Sequence, residues 1–227
     1  MLLTEKSNEI NFNESNKQLL EDLIYYGLSL GADFVEIFLE NSDNISVLAE
    51  EDFITNVSPS FGKGAGIRIF KDKKDGFVST NDLTKGGLKK SINQAIEMLD
   101  ISNNKNLYNF DGLENLRNYS KKKENWLNLI PTINEVSDKL LSSTNCLKRD
   151  QKIEVRKGSY SRNWQKVLIA ASDGTFAKDV RLHQTVGLNV ITNDREYRSS
   201  GSRRYGSSDN PNDFKTWAHI QAANEVV

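Results

Sequence analysis

Few residues in this chain of 227 amino acids have the types and the spacing that catalysis needs. A zinc site needs closely spaced histidine, cysteine or carboxylate ligands. The two histidines, His183 and His219, lie far apart in the sequence and lack HExxH-like neighbours. The single cysteine, Cys146, has no adjacent histidine that would activate it as a nucleophile. The sequence therefore predicts no catalytic residue and no metal ligand in this chain.

The densest glycine stretch, FGKGAGIRIF, raises the possibility of a phosphate-binding loop. Gly62, Gly64 and Gly66 miss the GxGxxG spacing by one residue, and a strand-like run follows them where a phosphate loop requires a helix. Alternating glycines leave one face of a strand bare, so that the strand bends or another backbone approaches closely. Edge strands also pair with extended peptides, so Gly62 to Arg68 is a candidate peptide contact.

A second unusual stretch, SSGSRRYGSSDNPND, combines Ser, Gly, Asp and Asn with two arginines. One interpretation is a mobile surface loop. The other is a substrate-contact loop from Ser200 to Gly206, because loops often carry function and arginine forks bind carboxylates. The candidate residues there are Ser200, Gly201, Arg203 and Arg204, and the DGT turn adds Asp173, Gly174 and Thr175.

Capping signals and helical periodicity predict four helices. Ser15 and Gln18 have the spacing of a capping box, and Gly31 is a natural stop for the first helix. Thr132 and Glu135 repeat that spacing before another helix. Two more helices are predicted from residues that share one face, which are Leu88, Ile92, Ala95, Ile96 and Leu99 in one and Phe214, Trp217, Ala218 and Gln221 in the other.

Alternating apolar residues predict the strands. DFVEIFLE and NISVLAE are expected to form a hairpin around the turn residues SDN. AGIRIF and GFVST are expected to form a second hairpin that turns at Asp75–Gly76. Four further strands are predicted, in KIEVRKGSYS, WQKVLIAAS, DVRLHQTVGLNVIT and REYRSSGS, with turns at residues 172–174 and 193–194.

These elements predict an α+β fold of two modules, each a mainly antiparallel sheet with flanking helices. The first module spans residues 1–100 and the second 126–227, and the polar, Asn-rich segment 101–125 is interpreted as their linker. The last helix has no stop signal before Val227, so we expect the sequence to be a fragment of a longer protein.

Composition narrows the class of partner. Lys and Arg number 30 against 31 Asp and Glu, so no basic field predicts direct nucleic-acid binding. No segment approaches the roughly 20 apolar residues of a membrane helix, and the N-terminus lacks the pattern of a signal peptide. The single cysteine fits a reducing compartment. The expected location is the cytoplasm.

The order of motifs resembles the TldD/PmbA family, cytosolic zinc metalloproteases once described as modulators of DNA gyrase. The family's N-terminal domain shows an ADxxEI strand, a strand ending near Glu, a GxGxR strand and a GFxxTNDL strand, and all four occur here in order. VLIAASDGTFAKDVR is similar to the ATDGTxxxDxR segment of the TldD branch, and RSSGSRRYG to its Ser/Gly-rich stretch. The resemblance covers residues 16–227.

The resemblance implies a zinc metallopeptidase that degrades unfolded or extended peptides, paired with a TldE/PmbA-like subunit as a heterodimer. Its zinc motif, HExxxH, would follow the last helix, and a cysteine ligand would lie further on. Neither His219 nor Cys146 matches these ligands, so we expect zinc in the parent protein and none in this fragment. The fragment is expected to be inactive and to shape the peptide channel and the subunit contact. The alternative is a non-catalytic module that binds peptides or proteins.

Overall fold

The structure, a computed structural model, describes residue 10 and residues 16–99, 109–119, 129–149, 152–194, 197–208 and 210–217. Its helices are α1 (Lys17–Ser29), α2 (Lys85–Met98), α3 (Ile133–Cys146) and α4 (Asp213–Thr216). Its strands are β1 (Phe34–Glu50), β2 (Phe53–Lys71), β3 (Lys74–Thr80), β4 (Arg117–Asn118), β5 (Ile153–Ala171), β6 (Phe176–Asp194) and β7 (Tyr197–Ser208). The predicted α+β class is confirmed. None of the helices in these described ranges has the length and apolar composition that crossing a bilayer requires.

The seven strands belong to one sheet with the order β3-β2-β1-β5-β6-β4, and β7 also pairs with β6. The β2–β3 and β6–β7 pairs are antiparallel, whereas the short β4 pairs with β6 in parallel. The chain divides into two compact units. Unit 1 contains the described residues within 1–41, 62–121 and 166–180, and unit 2 contains those within 42–61, 122–165 and 181–227. Strands β1, β2, β5 and β6 each contribute residues to both units.

The core of unit 1 lies between its sheet and the helices α1 and α2. One buried cluster contains Leu20, Leu23 and Ile24 of α1, Leu88, Ile92 and Ala95 of α2, and Val35, Ile37, Leu39, Ile67 and Ile69 of the sheet. Every second residue of β1 is buried from Val35 to Leu39, as expected for a strand that is covered on one face. The apolar periodicity of α2 is therefore confirmed, and its face is the one that packs on the sheet.

The ends of helix α1 differ in how far the structure describes them. Asn16 is its N-cap, and the Gln18 side chain donates to Asp22 at 3.2 Å, while Ser15 of the predicted capping box lies outside the described residues. Gln18 is at the second helical position, and residues four apart are neighbours on a helix surface. Its side chain therefore bonds to Asp22, one turn further along the helix. Gly31 does end the helix, with φ of 100° and its N–H bonded to Leu28 O at 2.9 Å.

The hairpin that was predicted around SDN is wrong, because β1 runs without interruption from Phe34 to Glu50. Turn-type residues remain in a strand when a neighbouring strand satisfies their side chains. Asp43 accepts from Arg162 of β5 at 2.7 Å. Strand β5 is likewise continuous over the segment predicted as two strands. The first module therefore has three strands between its helices, one fewer than predicted.

The second predicted hairpin is confirmed, but its turn lies three residues earlier than expected. The Lys71 and Lys74 pair closes the hairpin around Asp72 and Lys73, whose φ angles are 47° and 72°. Positive φ at both central residues is the type I′ pattern that fits the twist of paired strands. Gly76 lies within β3, where a Cβ would be 2.7 Å from Ala95 O of α2. The glycine is required by the close approach of the helix.

Part of the predicted linker belongs to unit 1. Phe110 and Leu113 are buried in its core cluster, and Leu113 N donates to Glu21 of α1 at 2.8 Å. Residues 101–108 and 120–125 of that linker lie outside the described residues. The boundaries at 100 and 126 stay a prediction.

Replacing Gly76 with alanine should destabilise the protein, because the added Cβ overlaps a backbone carbonyl that cannot move without displacing α2. We expect a loss of roughly 1–3 kcal/mol in the free energy of unfolding, as for other overpacked sites. Thermal and urea unfolding of Gly76→Ala measure it. The control is Gly86→Ala, whose Cβ would meet only Thr84 Oγ1 at 3.9 Å, and which should be neutral or stabilising. Equal stability of the two variants would contradict the packing described for β3 and α2.

Candidate functional site

In unit 2, one face of the sheet is covered and the other is open. Helix α3 starts at a capping box, in which Thr132 Oγ1 accepts from Glu135 N at 3.2 Å and Glu135 accepts from Thr132 N at 2.7 Å. The box predicted from the sequence is confirmed. The covered face holds one buried cluster, which contains Ile45, Val47, Ala49, Val136, Leu140, Tyr160, Val186 and Phe214. The first turn of the predicted last helix is also confirmed, while Ala218, His219 and Gln221 lie outside the described residues.

Two polar contacts fix this covered face. Tyr160 donates to Gln184 Oε1 at 2.9 Å, and burial raises the pKa of Tyr160 well above its usual range, so its hydroxyl keeps the proton it donates. Arg156 donates through Nε to Glu51 Oε2 at 2.7 Å, and its backbone N–H donates to Glu51 Oε1 at 2.9 Å. Glu51 has φ of 56° in the β1–β2 turn, and Thr144 of α3 donates to its carbonyl at 2.8 Å.

The open face carries a groove of about 440 Å³ that lies within unit 2. A Cβ on Gly158 would point at Leu140 and Thr144 of α3, so its neighbours Lys157 and Ser159 point away from that helix. Side chains of five strands line the groove, among them Leu48, Thr55, Lys157, Ser159, Asn189 and Arg204. Polar and apolar residues both line the groove, and Lys157 pairs with Glu50 at 3.3 Å on its wall.

Gly187 forms the floor of the groove. A Cβ at this position would lie 2.7 Å from Ser159 Oγ and 4.0 Å from Arg204 Nε. Ser159 Oγ donates to Gly187 O at 3.5 Å, so the serine side chain lies directly against the glycine backbone. Any larger side chain would occupy the space that the groove now leaves open. We missed Gly187 in the sequence, although an isolated glycine in the strand pattern TVGLNV is a signal of close approach.

The predicted loop Ser200–Gly206 is wrong, because these residues lie in β7. All of β7 pairs with β6, from Asp194 with Tyr197 to His183 with Ser208. The turn predicted at residues 193–194 is wrong for the same reason. Ser and Gly give a segment no strand preference of its own, and here the backbone of a long neighbouring strand supplies the hydrogen bonds. Ser200, Gly201, Arg203 and Arg204 are therefore fixed in a ladder, and Arg203 and Arg204 line the groove.

The DGT residues make a turn in unit 1 and lie outside the groove. Gly174 has φ of 92°, Gly174 N donates to Ala171 O at 3.1 Å, and Thr175 N donates to Asp173 Oδ1 at 2.9 Å. These bonds close the hairpin between β5 and β6, so the predicted turn is confirmed and its residue types have a structural cause. A peptide contact by Asp173, Gly174 and Thr175 stays a prediction.

The glycine series lies in β2, as its strand-like continuation predicted. A Cβ on Gly66 would lie 2.9 Å from the Phe77 ring of β3, so an aromatic side chain covers the bare backbone there. A Cβ on Gly64 would lie 3.1 Å from Thr80 O, so the backbone of β3 is the one that comes close to this glycine. Arg68 pairs with Asp75 at 3.2 Å. A peptide contact at Gly62, Gly64, Gly66 and Arg68 stays a prediction.

The described ranges contain no group of three His, Cys, Asp or Glu residues that is arranged to hold a metal ion. His183 is exposed, and its Nδ1 lies 2.9 Å from Ser208 Oγ. Cys146 is half-buried at the end of α3. These described donors do not fit a zinc site.

Two family models match the chain. Residues 35–99 match the PmbA/TldA metallopeptidase domain 1, and residues 127–227 match the PmbA/TldA metallopeptidase central domain. The second match contains β5, β6 and β7. A curated relative, Metalloprotease MJ0996 of Methanocaldococcus jannaschii, is 24% identical over 196 residues, which are 84% of this chain and 42% of the relative.

Solved structures share the fold. A protein of Bacteroides thetaiotaomicron described as a candidate modulator of DNA gyrase has a TM-score of 0.69 at 16% identity, covering 95% of this chain and 50% of that one. TldE from Thermococcus kodakarensis has a TM-score of 0.68 at 20% identity, covering 92% of this chain and 47% of that one. The chain thus spans about half the length of the proteins it matches.

Hydrogen exchange should show that β7 is a paired edge strand. In an antiparallel pair, alternate residues of the edge strand donate to the neighbouring strand, and the others point outward. We expect the backbone amides from residue 198 to 207 to alternate between protected and unprotected, with protected ones exchanging about tenfold or more slowly. Exchange measured residue by residue by NMR tests this. Uniformly fast exchange along the segment would restore the loop interpretation and contradict the groove.

Proposed function

Because this chain belongs to the PmbA/TldD family of metallopeptidases, we propose that it forms a wall of the peptide channel in a zinc enzyme that degrades unfolded or extended peptides. The observation that carries the proposal is the open groove of unit 2. Its lining comes from β5, β6 and β7, which the central-domain model matches, and from β1 and β2, which the domain 1 model matches. It combines a floor of small residues with walls that carry polar side chains. An extended peptide presents the same backbone groups whatever its sequence, so polar walls suit substrates of many sequences.

Strand β7 adds a second means of binding. It pairs with β6 along one edge, and its exposed residues are mostly Ser, Gly and Arg. An extended segment that pairs with the other edge of a strand gains main-chain hydrogen bonds, while alternate side chains point into neighbouring pockets. The groove and the edge of β7 are adjacent, since Ser202 and Arg204 line the groove. On this surface, the peptide backbone would pair with β7, and every second side chain of the peptide would contact the groove.

The chemistry of hydrolysis is assigned to residues outside this chain. A zinc ion held there would supply the activated water, and the present residues would bind and orient the peptide. We further propose a TldD-like identity, a heterodimer with a TldE/PmbA-like subunit and a cytoplasmic location. The fold shared with TldE supports a common architecture for the two kinds of subunit.

The second candidate function is a non-catalytic module that binds peptides or proteins. The groove of unit 2 supports this function as well, because peptide binding requires no metal site. The coding sequence downstream of codon 227 distinguishes the two functions. A reading frame that continues into HExxxH supports the peptidase, and a stop codon at that point supports the binding module.

Filling the floor of the groove should weaken peptide binding. The probe is a fluorescein-labelled, terminally blocked peptide of about ten residues, the length of a long strand, without stable structure. We expect Gly187→Val to raise its Kd about tenfold, because the new side chain takes the space over Ser159. Fluorescence anisotropy measures this, and thermal unfolding verifies that the variant folds.

The matched control is Gly206→Val on the neighbouring strand. Its Cβ would be 3.9 Å from the nearest atom, Gln184 O, so the substitution is accommodated. We expect the control to bind like the parent chain. Equal affinity of the two variants, or no binding by the parent chain, would remove the groove as the peptide site.

A zinc titration tests whether this chain by itself contains a metal site. We expect calorimetry to show no stoichiometric, tight zinc binding by the 227 residues, because the described donors are not clustered. Tight binding of one zinc ion would contradict the assignment of the metal ligands to residues outside the chain. Substituting His219 with alanine would then test whether that residue is a ligand.

A further inference from the structure

We propose that Arg204 makes the groove selective for extended peptides that carry an acidic side chain, an inference that rests on the proposed peptide-binding function. The sequence suggested an arginine fork in this segment without a defined position. The structure places Arg204 on the wall of the groove, where it is the cross-strand partner of Gly187 on the floor.

The register of the sheet aims Arg204 into the groove. Arg204 is the cross-strand partner of Gly187, and its Nε lies 4.0 Å from the position of a Cβ on that glycine. The glycine leaves the guanidinium accessible from the groove. Its neighbour Arg203 is paired with Leu188, and strand alternation directs the side chain of Arg203 to the other face. Arg203 meets the groove through its carbonyl, which lies 3.9 Å from the same Cβ position.

The charge of the groove favours an anion. The ionisable side chains that face it are two cations, Lys157 and Arg204, and one carboxylate, Glu50. Glu50 is already paired with Lys157 at 3.3 Å. Within the described part of the chain, the side chain of Arg204 has neither an ion pair nor a hydrogen bond, whereas that of Arg198 on the same strand pairs with Glu154 at 3.3 Å. The guanidinium of Arg204 is thus the charge that a ligand would neutralise.

A carboxylate matches the available donors. The guanidinium presents parallel N–H groups that bind both oxygens of a carboxylate, a geometry that a lysine cannot offer. Ser202 and Asn189 are cross-strand partners that line the same groove, and each has a neutral donor for a remaining lone pair. A peptide in the groove therefore places a Glu or Asp side chain at Arg204 and its backbone along the walls.

Two blocked, fluorescein-labelled peptides that differ only in one central residue, Glu or Gln, test the proposal by anisotropy. We expect the parent chain to bind the Glu peptide about five- to tenfold more tightly, a modest factor because Arg204 is exposed to water. Arg204→Gln should remove the preference, and Arg204→Lys should retain part of it. Arg204→Glu should favour a peptide with a central Lys. Arg198→Gln, which makes the same charge change on β7 outside the groove, should behave like the parent chain.

The outcomes separate the two proposals. If the Glu and Gln peptides bind equally well, the acidic preference is wrong and the peptide-binding function stands. If neither peptide binds, both are wrong. If Arg198→Gln abolishes the preference as completely as Arg204→Gln does, the effect comes from net charge and the subsite is wrong. If only peptides with a free C-terminus bind tightly, the anion recognised is the terminal carboxylate, which also overturns the proposal.

Discussion

The pairing of β7 with β6 is the interaction on which the candidate site depends. It gives a run of Ser, Gly and Arg a fixed register, and that register decides which side chains face the groove. Tyr205 anchors the strand from the other face, where it packs against Leu188 and Val190, with its ring centroid 6.1 Å from that of Trp217. Because neighbours in a strand point to opposite faces, the packing of Tyr205 sends Arg204 to the open side.

Strand alternation also explains why the two faces of the sheet in unit 2 differ. Helix α3 covers one face and buries the alternating apolar residues of β1, β5 and β6. Strand β2 keeps large apolar side chains in water, since Phe53 is 72% exposed and Phe61 is 76% exposed. Large exposed apolar side chains are a feature that interaction surfaces share.

The sequence predicted well what local chemistry determines. The box at Thr132 and Glu135, the apolar face of α2 and the turn at Gly174 each depend on residues a few positions apart. The continuity of β1 and the strand character of β7 depend on neighbours far away in the chain, so turn-type residues there were misleading. The groove combines residues of five strands, and only Arg203 and Arg204 among the candidates were placed on it. Gly187 had a local signal, but its role requires the position of Ser159.

An NMR titration of the isotope-labelled chain with a blocked, extended peptide tests the central claim most directly. The account predicts that chemical shifts change at the amides of Ser159, Gly187 and Arg204, and that those of α3 stay unchanged, because the peptide lies on the open face of unit 2. Shift changes confined to α3 or to unit 1, with the groove unaffected, would contradict it.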